Sequence, residues 1–321
     1  MKKANKIGLS AVIGAAILIL PFLLPNNYII QIVNMIGIFA IVGTGVNILT
    51  GYTGQLSLGQ AAFYGIGAYT TALLNTKLGL PFLVVLPVSM LVTAIFGVVL
   101  AIPALKVRGS YLALLTIGFG EIVRMVLVNW ISLTNGPAGV VGIDAPSVFG
   151  FRFDTLFKYY YLIVFFVFIG IMYQKWLMDS RTGRAFKAIR DDDKVAELTG
   201  INITEYKIRA FVLSAVYSAV AGVLYAMMVH YVSPDSFTGN DSNLFLWTAI
   251  MGGMGTVIGP VIGAVIMNIL PEALRFLGDW RMVVYGVILL MVIIRYPGGI
   301  TPYASKLFHY LQKKRRGKAG E

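Results

Sequence analysis

Cysteine does not occur in these 321 residues, and histidine occurs only twice, at His230 and His309. The chain therefore offers no disulfide, no thiolate metal site and no cysteine nucleophile, and a histidine-rich metal centre is excluded as well. Charge is scarce too. Asp, Glu, Lys and Arg make up 12% of the residues, about half the share of an ordinary soluble domain. The usual catalytic loops are missing. There is no G-x-x-x-x-G-K-[ST] phosphate loop, the one Gly-Lys pair being in the tail GKAG. Neither H-E-x-x-H nor G-x-S-x-G is present, and GFGEIV (118–123) lacks the third glycine of a dinucleotide loop. The reading that follows is a non-enzymatic chain with no cofactor of its own.

Apolar residues fill the space that charge leaves. They make up 58% of the chain and come in long blocks, as in an all-α polytopic membrane protein rather than a large soluble core. A spanning helix needs about 20 mostly apolar residues. The spacing predicts spans at 7–24, 28–49, 54–74, 80–102, 110–130, 158–178, 209–232, 257–275 and 281–296. The first begins MKKANK and resembles a signal peptide, but no small-x-small cleavage site follows it, so it is expected to be retained. Residues 243–253 (NLFLWTAIMGG) are too short to cross and predict a half-helix shielded by its neighbours. That makes about ten segments, with both termini on one side.

Basic residues fix which side. With the N-terminus cytoplasmic, the inner loops and tails hold 20 of the 26 Lys and Arg and the outer loops five (Lys77, Arg152, Lys158, Arg275, Arg281), while Arg124 lies inside a span. This satisfies the positive-inside rule. The net charge of +12 is thereby explained by membrane orientation rather than by nucleic acid. No soluble domain interrupts the chain. It reads as one transmembrane unit, 1–321, with a charged inner loop at 179–208 and a basic tail at 297–321. The outer connection, about 131–157, is rich in Gly and Pro and predicts a structured cap or a loop.

Two glycine clusters break the apolar pattern. GYTGQLSLGQAAFYGIGAYT (51–70) has five glycines and two glutamines, and MGGMGTVIGPVIGA (251–264) is the second cluster. They fall at corresponding places if the chain is an inverted repeat of five segments and five, and paired interruptions of this kind point to a translocation path. Glycine permits both close helix approach and unwound backbone. The candidate path residues are Gly54, Gln55, Ser57, Gly59, Gln60, Gly255 and Gly259. For any single glycine, plain packing is the competing reading.

Glu121 and Arg124 are the ionisable residues deepest in a span. Their i, i+3 spacing puts them on one helix face, where they neutralise each other. A structural pair facing the bundle interior is expected, with a proton or substrate relay as the alternative. In the inner loop, RAFKAIR is followed by DDDKVAELTG, a short helical pattern. Asp191–Asp193 suit its start and Gly200 its end. Val195 and Leu198 form a small apolar stripe, fit for a bilayer surface or for a cytoplasmic partner.

Four pieces carry a resemblance: GYTGQLSLGQAAFYGIGAY; RGSYLALLTIGFGEIVR with NWISLTNGPAGVVGI; GRAFKAIRDDDKVAELTGINITEYKIRAFVLSAVYSAVAGVLYA; and MGGMGTVIGPVIGA. In this order they resemble the M-type permease subunits of branched-chain amino-acid ABC importers, the Liv family. The resemblance implies a fold of the large ABC importer permeases and a multi-pass location in the bacterial plasma membrane. It also implies a homologous H-type permease partner, two cytoplasmic ATPases that use ATP, and an extracytoplasmic binding protein. Residues 190–200 would be the coupling helix, with Arg190, Asp191, Lys194, Val195, Glu197, Leu198 and Gly200 at the ATPase contact. Ala196, Glu197 and Gly200 echo the EAA loop of ABC importers, although the spacing beyond them departs from it. Urea and short-chain amide permeases look similar. A secondary transporter coupled through Glu121 is the rival class, and the long patterned inner loop speaks against it.

Overall fold

A computed structural model describes residues 19–23 and 26–303. Most of the expected first span, and the tail from residue 304, lie outside the described residues. The helices are α1 (Asn27–Val46), α2 (Gln60–Leu78), α3 (Phe82–Ala104), α4 (Ser110–Asn129), the single turn α5 (Ile131–Thr134) and α6 (Leu156–Asp179). There follow α7 (Arg181–Asp191), α8 (Asp193–Leu198), α9 (Ile203–Val229), α10 (Gly239–Gly252), α11 (Gly259–Ala273) and α12 (Arg281–Arg295). A π-helical turn, Asn47–Tyr52, extends α1. Among the described residues six helices are long and apolar enough to cross a membrane.

α9 is the hub. It packs on α1, α2 and α3, and 67% of its most apolar stretch is buried, against 22% for α4 and for α6. Small residues make the close approach possible. Gly67 of α2 faces Ala219 of α9, where a Cβ would lie 2.7 Å from the Ala219 Cα, and Gly222 of α9 lies against the α2 backbone at Tyr64 and Ala68. In α3, a Cβ on Gly97 would meet the Ala215 methyl at 3.0 Å. Larger side chains at these crossings would push α9 off its neighbours. α1 also packs on α6, α10 and α11.

The connection over 131–155 folds into a small cap. β1 (Val140–Val141) pairs antiparallel with β4 (Tyr231–Val232), and β2 (Ser147–Val148) pairs with β3 (Phe151–Arg152). Asn75 and Lys77, at the end of α2, tie the cap down: Asp144 N donates to Asn75 Oδ1 at 2.7 Å, and Lys77 Nζ donates to Leu133 O at 2.9 Å.

Several expected boundaries need correction. The span drawn at 54–74 starts as a helix only at Gln60, because 54–59 is non-helical. The short apolar piece 243–253 is a fourteen-residue helix, and the expected full span 257–275 is a fifteen-residue one. The two form a tight pair of short helices in which α10 and α11 pack directly. α9 begins at Ile203, six residues before the apolar run, because Asn202 caps it and accepts a bond from Glu205 N at 3.2 Å. The inner loop shrinks accordingly. Residues 190–200 are not one helix either. Asp192 turns extended (φ −160°) and separates α7 from α8.

Candidate functional site

The stretch 54–59 is unwound, and a glycine stands at each of its ends. The π turn at 47–52 widens the helix before it, and Gly54 then takes a left-handed conformation (φ +71°). The polar side chains around the break satisfy its freed backbone. Thr50 Oγ1 donates to Gln55 O at 3.0 Å, and Thr53 Oγ1 donates to Leu49 O. Gln55 Nε2 donates to Thr53 Oγ1 at 2.9 Å. Further along, Leu58 N donates to Thr116 Oγ1 of α4 at 2.9 Å, and Ala61 N donates to Ser242 Oγ of α10 at 2.9 Å. A backbone break away from water needs this kind of pairing.

The second cluster meets the first. Asn47 is fully buried in the π turn. Its Oδ1 accepts from Gly255 N at 2.7 Å, and its Nδ2 donates to Thr256 O at 2.7 Å. One amide thus bridges positions more than 200 apart in sequence. The inner loop joins the same point: Nη1 of Arg190, the penultimate residue of α7, donates to Gly51 O. A Cβ on Gly255 would lie 2.7 Å from that Nη1. Beside this junction is a polar cavity of about 460 Å³ lined by Thr53, Gly54 and Gln55 on one wall and by Arg190 to Lys194 on the other.

The path candidates therefore divide. Gln55, Ser57, Gly59 and Gln60 are buried at the break, and Gly54 is exposed beside Arg190. Ser57 Oγ accepts from Gly59 N at 3.4 Å, and Gln60 Oε1 accepts from Ser218 Oγ of α9 at 3.0 Å. Gly59 abuts α4, where a Cβ would stand 2.7 Å from Thr116 O. Gly255 belongs to the junction. Gly259 instead starts α11 against the Gly252–Gly253 backbone, in a helix crossing that leaves no room for a Cβ.

Glu121 and Arg124 do form a pair: Nη2 lies 2.8 Å from Oε1, and Nε donates to the same carboxylate at 3.2 Å. Its location differs from the expectation. The Glu121 side chain is 50% exposed and faces out of the bundle, because the buried stripe of α4 is Leu112, Ala113, Thr116, Val123 and Leu127. Arg124 also reaches Asp235, in the loop after β4, at 3.9 Å.

The inner loop is held from below. Asp193 pairs with Lys207 at 2.6 Å and with Arg108 at 3.7 Å, fixing α8 to the start of α9 and to the α3–α4 turn. Asp192 caps α8 by accepting from Lys194 N at 2.8 Å and Val195 N at 3.2 Å. Gly200, at φ +84°, ends it in the left-handed conformation that the sequence suggests. Ala196 is buried, whereas Val195 is 56% and Leu198 88% exposed. Asp191, Lys194 and Glu197 are exposed beside them. Two apolar side chains stand clear of the surface on a rigidly anchored short helix. Sequence reasoning missed Asn47 and Lys207, and took Asp193 only as one of three residues at a helix start. A lone amide at the end of an apolar run was the available signal for Asn47. Nothing in the local pattern singles out which aspartate of the three is the anchor.

Comparison with known proteins places this architecture. A family model described as branched-chain amino acid transport system / permease component matches residues 28–293. The permease protein LivM of the high-affinity branched-chain amino acid transport system of Salmonella typhimurium is 34% identical over 305 residues, covering 88% of this chain and 72% of that protein. The LivM protein of Escherichia coli is 33% identical over the same shares. The LivH permease protein of Salmonella typhimurium is 25% identical over 286 residues, covering 82% of this chain and 90% of that one. No solved structure matches significantly. With the match running through nearly all the described helices, the chain belongs to the family of branched-chain amino acid transport system permease components.

Proposed function

We propose that this chain is the M-type permease subunit of an ATP-driven importer of leucine, isoleucine and valine, and that it forms half of the translocation path. The observation that carries the reading is the junction. Arg190 ties the inner loop to Gly51 O, while Asn47 ties the same turn to Gly255 and Thr256. In this reading a pull on α7 reaches both helix breaks through Arg190 and Asn47. A permease has no bond to make or cleave. Its work is to alternate between two packings that its partners bias, and a loop wired to the breaks supplies the coupling.

In this reading, residues 54–60 and 255 border the path, and Gly259 supports it by packing. α8 is the docking element for a cytoplasmic ATPase, with Val195 and Leu198 entering a groove and Arg190, Asp191, Lys194, Glu197 and Gly200 around it. A homologous H-type permease, two ATPases that consume ATP, and an extracytoplasmic binding protein complete the system. The bacterial plasma membrane holds it, with both termini cytoplasmic. An inverted repeat of five segments and five belongs to the proposal and is supported by a helix–break–helix arrangement in each half, at 47–60 and at 252–259. Single cysteines check the orientation: Ser180→Cys should label from the cytoplasm, and Ser147→Cys and Ser236→Cys from outside.

The deciding experiment is uptake of labelled leucine into proteoliposomes that hold this chain with its H-type permease, the ATPases and the binding protein. Uptake should require ATP and binding protein, and Arg190→Ala should abolish it while the complex stays assembled. Uptake driven by a proton gradient alone, without ATPase subunits, would replace this reading with the secondary transporter. Urea or short-chain amides competing better than leucine would keep the mechanism and change the substrate.

A further inference from the structure

The polar cavity beside the junction has a lining of mixed chemistry. Ala104, Val107, Leu112 and Ile189 give it an apolar patch. Thr53 and Gln55 bring the edge of the unwound stretch. Charged residues make up most of the rest: three aspartates, two lysines and two arginines, from the α3–α4 turn, the α7–α8 corner and the start of α9. Much of this charge is already spent inside the chain. Asp193 holds Lys207 at 2.6 Å and Arg108 at 3.7 Å, and the Asp192 carboxylate caps α8. Asp191 and Lys194 remain. Among the described residues their side chains have no hydrogen bond or ion pair. Arg190 places one N–H on Gly51 O and has the rest of its guanidinium fork unused.

We propose that this cavity is a cytoplasm-facing binding site for an aliphatic amino acid, and that its occupancy slows the transport cycle. The inference rests on the importer reading given above and adds to it a site on the release side. The lining selects the ligand. A carboxylate suits Arg190 with Lys194, and an ammonium group suits Asp191. A branched aliphatic side chain suits the patch of Ala104, Val107, Leu112 and Ile189. Other ligands fit less of it. Inorganic phosphate would meet three aspartates and leave the apolar patch uncovered. An acyl chain would desolvate charges of both signs without pairing them. The volume of about 460 Å³ falls among small-molecule sites, which span about 300–1,000 Å³. The effect on the cycle follows from Arg190. Its guanidinium also holds Gly51 O, in the turn that Asn47 ties to Gly255 and Thr256. A ligand carboxylate competes with that carbonyl oxygen for the same donors, and charge-assisted hydrogen bonds are roughly twice as strong as neutral ones. Amino acid accumulating on the inner side therefore loosens the link between the inner loop and the breaks.

The test uses the full complex in proteoliposomes with its ATPases outward and loaded binding protein enclosed in the lumen. Added solute then reaches the cytoplasmic side alone. Leucine added outside should lower the stimulated ATPase rate. Isocaproate, which lacks the ammonium group, and isoamylamine, which lacks the carboxylate, should not do so at the same concentration. Val107→Trp fills the cavity from a non-helical turn, and Asp191→Asn removes the unpaired carboxylate. Each should raise the leucine concentration for half-inhibition about tenfold or more. Binding of radiolabelled leucine to the detergent-solubilised complex without binding protein should weaken in step, which separates loss of the site from loss of ATPase docking. No inhibition by leucine, equal inhibition by either single-charge analogue, or an unchanged midpoint in either variant would overturn the proposal. Leucine binding left unchanged by both variants would place the ligand elsewhere and also overturn it. The importer reading survives all of these results, because ATP-driven movement of lumenal labelled leucine to the outside is measured in the same vesicles. If no leucine moves, the importer reading itself fails, and this inference with it.

Discussion

Gly59 and Gly263 both sit where a Cβ would strike the backbone of a neighbouring helix. Behind Gly59 is Thr116 O, at 2.7 Å, and the residues just before it are non-helical. Behind Gly263 is Thr248 O, with Thr248 C at 2.8 Å and Gly252 N at 3.0 Å, and both partners are regular helices. The two glycine clusters look alike as strings, yet the first is a break lined with hydrogen-bonding side chains and the second contains a crossing of α10 on α11. A non-helical segment can give by some tenths of an ångström. Two helices locked backbone to backbone cannot, since each would have to move as a rod. The two regions should therefore respond differently to the same substitution.

The largest effect on folding is expected at the crossing. Gly263→Leu forces α10 and α11 apart and should exceed the ~1–3 kcal/mol typical of overpacking, leaving no monodisperse permease on size-exclusion chromatography. Gly59→Leu should fall within that range: folded protein at reduced thermal stability, with transport lost. Equal, normal yield of both variants would show that the crossing is not tight and would remove the contrast.

This contrast marks what the sequence could show. Where hydropathy and charge alone decide an element, the expected and observed spans agree closely, as for α3, α4 and α6. The positive φ of Gly200 followed from a single local rule. The miss at 54–74 arose because Gln55, Ser57 and Gln60 are compatible with a polar helix face, and only the neighbours Thr116 and Ser242 reveal that they serve a broken backbone. Glu121 was expected to face inward from burial cost alone, an argument that says where charge should be covered but not by which chain. Asn47 and Arg190 come together with Gly51 and Gly255 through contacts spanning 139 and 208 positions, and no local spacing encodes such a meeting.

A smaller effect on folding is expected where the inner loop reaches the break. Arg190 is an exposed residue with one charged donor on a backbone oxygen, so Arg190→Ala should cost less than the roughly 1.5–3 kcal/mol of a charge-assisted bond in a dry site. Stability in detergent should barely change. Stimulation of ATPase activity by loaded binding protein should nonetheless disappear, because Gly51 then loses its link to α7. Arg190→Lys should restore part of it, since an ammonium supplies a donor without the planar fork. Full stimulation in Arg190→Ala would mean that motion reaches the break by another route.

The smallest effect on the fold belongs to α8. Leu198 is 88% exposed and Val195 56% exposed in this chain, so Leu198→Asp should leave stability within about ±0.5 kcal/mol, as surface changes away from packed features do. Its effect on coupling should be large for the same reason. A side chain left open in the isolated subunit and fully buried against an ATPase is worth roughly 1.5–3 kcal/mol, and an aspartate placed there would be buried without a partner. Lys194→Ala should matter much less, because exposed ion pairs contribute about 0–1 kcal/mol. The measurement is ATPase activity of the reconstituted complex with and without loaded binding protein, alongside co-purification of the ATPases. Leu198→Asp should lose both stimulation and ATPase retention, and Lys194→Ala should keep both. Gly200→Val lies between them, because a β-branched residue resists φ +84° and loosens the end of α8 without removing its apolar anchor. If Leu198→Asp retains wild-type stimulation, the exposed tip of α8 is not the docking element, and the rigid tethering of this helix by Asp193 to Lys207 and Arg108 serves only to close the inner end of the bundle.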